Sequence, residues 1–196
     1  MEIFLIRHGM TAGNKAKRYI GRTDEPLSSE GEALARESGC FPDVRRVFVT
    51  PLLRTQQTAS ILFPNAEQRI EPDLREMDFG KFENRSADEM SSDYAYRAWV
   101  DGSCLSPCPG GEGVAGFAER VRAAFTEAVR EKQSPARAIF VLHGGTIMAI
   151  MDGFSAEKRG YYDWFSQNCR GWRAALSWDG GRPVLHDCES LKTLLL

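Results

Sequence analysis

The sequence has few of the features that suggest a secreted, membrane-bound or nucleic-acid-binding protein. Its five cysteines are odd in number and scattered, and no group of Cys and His residues has zinc-binding spacing. No apolar run approaches the ~20 residues that a membrane helix needs, and no cationic stretch precedes the short apolar run at the start, which disfavours a signal peptide. The 25 Lys and Arg residues against 27 Asp and Glu residues give a net charge of -2. We therefore expect a cytoplasmic protein with neither nucleic acid nor a membrane as its partner.

The length and composition suit one compact domain. The chain has 196 residues, of which 42% are hydrophobic and 27% charged. We therefore predict a single domain over residues 1–196. Within it, the segment 84–112 has short helical patterns around residues 87–90 and 94–100 and an end rich in Ser, Pro and Gly, so we expect a cap or flap over a site. The sequence makes no prediction about the oligomeric state.

Three short apolar runs alternate with helical patterns along the chain. The runs cover residues 3–6, 47–49 and 138–142, and continuous apolar runs of this kind are typical of strands buried on both faces of a sheet. A helix is predicted to begin at Ser28, and the apolar stripe from Val114 to Val129 predicts a longer one. We therefore expect an α/β fold, a three-layer sandwich with a mostly parallel central sheet and helices on both faces.

Polar side chains follow each of these predicted strands. Arg7 and His8 follow the first strand, Arg54 lies shortly after the second, and His143 follows the third. Ligands of open α/β sheets bind beyond the carboxyl ends of the strands. The four side chains are therefore expected to converge on one crevice, although they are distant in sequence.

The converging groups suit a phosphate dianion, because two guanidinium forks match its oxygens and stay charged. Thr50 is predicted to cap a helix with Pro51 at its first position, so that unpaired backbone N–H groups also face the anion. A neutral nitrogen of His8 can accept a phosphoryl group if the other ring nitrogen is held by a hydrogen bond. These residues predict phosphoryl transfer through His8 to water, with no metal and no other cofactor.

The leaving alkoxide also needs a proton donor. Two carboxylates, Glu76 and Asp78, lie in the segment 74–80. Burial near Phe79 and repulsion from the substrate dianion would keep Glu76 protonated. The spacing alone does not decide between the two carboxylates.

Four blocks of sequence, in this order, resemble the signature of the histidine phosphatase (phosphoglycerate-mutase-like) superfamily. The blocks are LIRHGMT at 5–11 with Asn14, TPLLRTQQTA at 50–59, LRE with FG at 74–80, and LHGG at 142–145. The resemblance implies that His8 is the phosphorylated nucleophile and that Glu76 is the acid and then the base. The implied ligands of phosphate or substrate are Arg7, Asn14, Gly21, Arg54, Glu76, His143 and Gly144. The sequence departs from the family at Asn84 after Glu83, where many relatives have Gly, and at Met10, where Glu or Gln is frequent.

Three functions remain open at this point. The chain is predicted to be a phosphomonoesterase for a small phosphorylated metabolite, a phosphoglycerate-type mutase or bisphosphatase, or a non-catalytic relative that binds a phosphorylated ligand. The predicted cap has two arginines, Arg85 and Arg97, against five acidic residues, which disfavours a polyanionic substrate. Segments 94–99, 110–112 and 168–172 resemble α-ribazole phosphatases, which implies α-ribazole 5′-phosphate as a substrate.

Overall fold

The protein is described by a computed structural model that covers residues 1–130 and 136–192. The remaining residues of the predicted single domain, 131–135 and 193–196, lie outside this description. The strands within it are β1 (Glu2–Arg7), β2 (Arg46–Val49), β3 (Glu67–Ile70), β4 (Arg137–Leu142), β5 (Gly171–Asp179) and β6 (Arg182–Leu191). The α-helices are α1 (Ala12–Lys15), α2 (Ser29–Glu37), α3 (Leu53–Leu62), α4 (Tyr94–Asp101), α5 (Val114–Arg130) and α6 (Gly144–Phe154).

The strands form one sheet in the order β3-β2-β4-β1-β5-β6. Strands β3, β2, β4 and β1 are parallel neighbours, while β5 and β6 are antiparallel and extend the sheet as a hairpin. The three predicted apolar strands are β1, β2 and β4, which lie side by side at its centre. The predicted α/β fold with a mostly parallel sheet is therefore confirmed.

Side chains of the central strands point alternately to the two faces of the sheet. Ile3 and Leu5 of β1 pack in the cluster that includes the apolar faces of α5 and α6, whereas Phe4 and Ile6 pack in the cluster that includes α3. Each large apolar side chain buried in this way contributes about 1.5–3 kcal/mol. Helices therefore cover both faces, as the continuous apolar runs predicted.

Two predicted helices have the expected bounds. Helix α2 begins after Ser28, whose hydroxyl accepts a hydrogen bond from the backbone N–H of Gly31 at 3.0 Å. Helix α5 contains the whole predicted stripe from Val114 to Val129. None of the helices in the described ranges is long and apolar enough to cross a membrane.

The predicted start of α3 is wrong by two residues, and Thr50 is not its cap. The helix begins at Leu53, whose backbone N–H donates to Asp24 Oδ1 at 2.7 Å. The prediction left the first N–H groups of this helix free to bind an anion, but the N–H of Leu53 is already bonded to the carboxylate of Asp24. The Thr50 side chain points into the core instead, where its hydroxyl lies 2.9 Å from His143 Nε2.

The predicted cap region is tied to the body of the domain by aromatic packing. Tyr96 and Trp99 on α4 are buried against Phe82 and Tyr19. The predicted helical piece at residues 87–90 is a turn, whereas α4 lies where its pattern predicted. That this region acts as a cap over a site stays a prediction.

Asn84 adopts a left-handed backbone conformation with φ of 57°. Glycine reaches this conformation without strain, asparagine reaches it more readily than most residues, and alanine at such a position costs about 1–2 kcal/mol. We therefore expect Asn84→Ala to lower the free energy of unfolding by about 1 kcal/mol in urea titrations. Asn84→Gly is the matched control, because it removes the same side-chain contact with Arg18. Equal destabilisation by both changes would show that the contact, and not the backbone, matters.

Candidate active site

The predicted site residues meet beyond the carboxyl ends of the central strands. Arg7 ends β1 and His8 follows it, while His143 follows β4 and precedes the first residue of α6. Arg54 lies in the first turn of α3. The ring centroids of His8 and His143 are 5.2 Å apart, with the ring planes at 63°. The structure therefore brings the two imidazoles and two guanidiniums together from three distant segments.

The ring of His8 is held by its own backbone neighbour. Its Nδ1 lies 2.7 Å from the carbonyl oxygen of Gly9, so in the neutral ring Nδ1 carries the proton and Nε2 carries the lone pair. Burial and the nearby charges of Arg54 and Arg7 hold the pKa of His8 well below its usual 6.5. The residue is 3% exposed. His8 is therefore a neutral histidine that presents a lone pair at Nε2.

Arg54 is fully buried and is aimed by backbone carbonyl groups. Its Nη1 donates to Thr23 O at 2.8 Å, and its Nη2 donates to Gly21 O at 2.7 Å. Its Nε donates to His143 Nδ1 at 3.3 Å. Glu83 in turn fixes the loop that supplies these carbonyls, because its Oε1 accepts from the backbone N–H groups of Gly21 and Thr23, each at 2.8 Å. A buried guanidinium held in this way is a fixed positive charge.

Arg7 has a donor that remains without a partner. Its Nη1 donates to Ser166 O at 2.8 Å, and its guanidinium lies 5.3 Å from the ring centroid of Phe165. Its Nε is buried and has no hydrogen-bond partner among the described residues. A buried, unpaired N–H of a charged group is costly unless a ligand accepts from it. The unpaired donor therefore points to an anion at this place.

Glu76 lies between two backbone N–H groups. Its Oε1 accepts from Met77 N at 3.0 Å and its Oε2 from Gly145 N at 2.8 Å. Burial raises the pKa of Glu76 and outweighs both hydrogen bonds and the charges of Arg54 and Arg7, which lower it. A carboxyl group with a raised pKa is suited to act as a general acid.

The rival carboxylate, Asp78, is used in another way. Its Oδ1 accepts from Gly80 N at 2.8 Å, and its Oδ2 lies 3.2 Å from Nη1 of the exposed Arg22. These contacts tie the carboxylate of Asp78 to the loop and to Arg22. The geometry therefore favours Glu76, which the sequence spacing could not distinguish from Asp78.

The three remaining predicted ligands occupy different positions. Asn14 Oδ1 accepts from Thr11 N at 3.3 Å and from Asn168 Nδ2 at 3.2 Å, which leaves the amide nitrogen of Asn14 to donate elsewhere. Gly21 supplies a carbonyl to Arg54, as described above. A Cβ on Gly144 would lie 3.5 Å from the guanidinium carbon of Arg7. Direct contact of these residues with a substrate stays a prediction.

Several residues that shape the site were not predicted from sequence. Glu83 was noted only as a departure point from the family pattern, and its hold on the loop before Arg54 depends on a fold that brings residues 21 and 83 together. Asn168 donates from Nδ2 to His8 O at 2.9 Å. Gly145 directly follows Gly144, and this pair of glycines is the sequence feature that could have indicated its role.

Gly145 is expected to be intolerant of a side chain. A Cβ at this position would lie 2.4 Å from Glu76 Oε1, so Gly145→Ala must displace the carboxyl group. A misplacement of about 1 Å costs up to ~100-fold in rate, and we expect kcat to fall by ~10- to 100-fold while the circular dichroism spectrum is unchanged. Gly116→Ala in α5 is the control, since its Cβ would meet nothing within 4 Å. Full activity of the Gly145 variant would show that this placement of Glu76 is unimportant.

Comparisons with known proteins identify the family of this chain. Residues 3–190 match the family model described as "Histidine phosphatase superfamily (branch 1)", so the chain belongs to this superfamily. It is 31% identical over 166 residues to "Probable phosphoglycerate mutase GpmB" of Enterobacter sp. (strain 638), covering 80% of this chain and 77% of the relative.

Two solved structures are similar over almost the whole chain. One is a phosphoglycerate mutase from Thermus thermophilus, with 28% identity and a TM-score of 0.70, covering 100% of this chain and 99% of that one. The other is the α-ribazole phosphatase from Shigella flexneri, with 22% identity, a TM-score of 0.77 and 95% coverage of each chain. At that identity, the second likeness shows the fold.

Proposed function

We propose that the chain is a phosphomonoesterase that hydrolyses a small phosphorylated metabolite through a phosphohistidine at His8. One observation carries the proposal: the charge of Arg7 acts on the buried, neutral ring of His8, and Nε of Arg7 is a buried donor without a partner among the described residues. A lone pair and an unsatisfied cationic donor at the same place suit a phosphoryl group, which offers an electrophilic phosphorus atom and anionic oxygens together. The scheme uses only side chains of this chain and needs no metal ion.

In the first step, Nε2 of His8 attacks the phosphorus atom. A bond from nitrogen to phosphorus forms, the bond from phosphorus to the ester oxygen breaks, and Glu76 gives its proton to the leaving oxygen. Arg7 and Arg54 balance the charge that develops on the equatorial oxygens. Because both guanidiniums are already positioned, little reorganisation is needed during the transfer.

In the second step, a water molecule takes the phosphoryl group from His8. Glu76, now ionised, accepts a proton from this water while a bond from oxygen to phosphorus forms and the bond from phosphorus to nitrogen breaks. Phosphate leaves and His8 returns to the neutral form with its lone pair. The same carboxyl group thus serves as the acid and then as the base.

The mutase alternative has support from the names of the curated relatives. A mutase returns the phosphoryl group to a second hydroxyl, so it must also bind the remaining anionic groups of a bisphosphorylated acid. In the predicted cap, Arg85 pairs with Asp93 at 3.2 Å, and Glu89 is bound by Arg18 at 2.6 Å. Arg85 is thus neutralised, and the five acidic residues of the cap outnumber its two arginines, which favours hydrolysis of a less charged ester.

The substrate is proposed to be a phosphomonoester of a nucleoside-like or sugar-like alcohol, with α-ribazole 5′-phosphate as the leading candidate. Support comes from the acidic cap, from the resemblance of segments 94–99, 110–112 and 168–172, and from the shared fold with an α-ribazole phosphatase. A cytoplasmic location, and the absence of nucleic-acid and membrane partners, stay predictions that accompany this proposal.

A panel of phosphomonoesters tests the function. We expect turnover of α-ribazole 5′-phosphate and nucleoside 5′-monophosphates to exceed that of 3-phosphoglycerate and 2,3-bisphosphoglycerate by at least ~10-fold in kcat/KM, about 1.4 kcal/mol of transition-state binding. The panel is repeated with EDTA, which should leave the rates unchanged, and with vanadate, which should inhibit. Preference for the phosphoglycerates would support the mutase alternative, and binding without turnover would support the non-catalytic one. A requirement for an added divalent metal would contradict the scheme.

A further inference from the structure

His143 is connected to two threonine hydroxyls that the catalytic scheme does not use. Its Nε2 lies 2.9 Å from Thr50 Oγ1, and Thr50 Oγ1 lies 3.0 Å from Thr55 Oγ1. The hydroxyl of Thr55 is 2.8 Å from the carbonyl oxygen of Leu52. His143 and both threonines are fully buried. The three side chains thus form a linear series of hydrogen bonds that begins at the site and ends on a backbone carbonyl group.

The direction of this chain follows from Arg54. A guanidinium stays charged and only donates, so the contact from its Nε at 3.3 Å requires a lone pair on His143 Nδ1. Burial, with the charge of Arg54, holds the pKa of His143 well below 6.5, so the ring is neutral and its proton is on Nε2. His143 therefore donates to Thr50, Thr50 to Thr55, and Thr55 to Leu52 O. In this arrangement each donor of the hydrogen-bond series is directed away from the site.

This tautomer is wrong for a phosphate ligand. The ring nitrogen directed towards Arg54 carries a lone pair, and a phosphate dianion offers only acceptors. We propose that Thr50 is a positioning residue whose hydroxyl allows His143 to exchange its tautomer when a phosphate group binds. In the bound state, Nδ1–H donates to a phosphate oxygen, Nε2 accepts from Thr50, and Nε–H of Arg54, which then has no acceptor on His143, donates to the same phosphate.

The exchange leaves no buried group of this chain of hydrogen bonds unsatisfied. Thr50 and Thr55 can each donate or accept, so after the reversal Thr55 donates to Thr50 and Thr50 donates to His143. The carbonyl of Leu52 loses the Thr55 hydroxyl but keeps the backbone N–H groups of Thr55 at 3.0 Å and Gln56 at 3.4 Å. The proton on Nε2 passes to solvent and one from solvent binds Nδ1 before the substrate closes the site, with no net gain or loss.

Nitrogen NMR of the wild-type protein tests the exchange directly. The sequence has three histidines, His8, His143 and His186, so ¹⁵N-histidine labelling gives a small set of signals. In the free protein we expect His143 to be protonated at Nε2 and bare at Nδ1. On addition of inorganic phosphate, we expect the reverse. An unchanged tautomer, or a ring protonated at both nitrogens, would overturn the proposal.

Variants of Thr50 provide a second measurement. Thr50→Val has nearly the same shape but cannot hydrogen-bond, so Nε2 of His143 loses its partner in both tautomers and the ring is no longer held in one orientation. Ordering one side chain on binding costs up to ~10-fold in affinity, and we expect the inhibition constant for inorganic phosphate to rise by up to that factor. Thr50→Ser should restore it. Thr126→Val is the control, since that hydroxyl bonds within α5, to Arg122 O.

The outcomes separate this inference from the proposed function on which it rests. Turnover without a change of tautomer would overturn the role of Thr50 and leave the phosphatase intact. A change of tautomer with inorganic phosphate, but no turnover of any ester, would support the role of Thr50 and overturn the proposed phosphatase activity. Unaltered phosphate inhibition in a folded Thr50→Val protein also counts against the inference, and if that variant does not fold, the NMR measurement on the wild-type protein decides.

Discussion

Replacement of His8 by alanine is expected to abolish turnover of every phosphomonoester. The nucleophile is then missing, and loss of a nucleophile from a site of this kind costs at least ~1,000-fold in kcat. The measurement is steady-state hydrolysis of p-nitrophenyl phosphate, together with transfer of labelled phosphate to the protein. The wild-type chain should acquire label during turnover, and the His8→Ala variant should acquire none.

The matched control for this prediction is His186→Ala. This histidine is exposed in β6 and bonds to the hydroxyl of Ser177 at 2.8 Å, on the hairpin side of the sheet. We expect the control to keep full activity and full labelling. Label on another residue, or substantial turnover without His8, would contradict the phosphohistidine scheme.

Replacement of Glu76 by glutamine should affect esters according to their leaving group. Glutamine has nearly the shape of the protonated acid, but it cannot release a proton to the departing oxygen. Alkyl esters, whose alkoxides need protonation, should be hydrolysed ~100- to 10,000-fold more slowly. For p-nitrophenyl phosphate, whose leaving group is stable without a proton, we expect a loss of less than ~10-fold in kcat/KM, which reports the transfer to His8 and not the later step in which Glu76 is the base. An equal loss for both classes would show that Glu76 is not the acid.

The pH dependence of kcat/KM gives the same carboxyl group a second test. Burial raises the pKa of Glu76, so the wild-type protein should lose its acid catalyst as the pH rises through that raised pKa. The alkaline decline for alkyl esters should therefore disappear in Glu76→Gln. Asp78→Asn is the control because it changes the neighbouring carboxylate in the same way, and we expect its profile to keep the wild-type shape.

The central sheet could be predicted from sequence because its strands are almost entirely apolar. Runs such as Val47–Val49 are buried on both faces, and this pattern is typical of a strand in the middle of a layered fold. Strand β3, Glu67–Ile70, was missed because it is a polar edge strand with no buried residue. The start of α3 was misplaced because Asp24, 29 residues away, satisfies its first N–H group.

The convergence of Arg7, His8, Arg54 and His143 could also be predicted, since each follows a recognisable strand. What sequence could not supply is the set of contacts that orients them. The hold of Glu83 on the loop before Arg54 joins residues 60 or more positions apart, and Gly145 is fitted to Glu76 across 69 positions. Such contacts carry no local pattern in hydropathy or spacing, so they become visible only once the chain is folded.

The two imidazoles follow strands β1 and β4, which are direct neighbours with Arg7 opposite Leu142. Adjacent strands lie about 4.8 Å apart in any sheet, and the rings are separated by 5.2 Å. The distance between the two rings thus follows from the spacing of adjacent strands, which surface substitutions leave in place. If the proposed function is correct, substitutions in the loops above the sheet can change which ester is bound while the two histidines keep their separation.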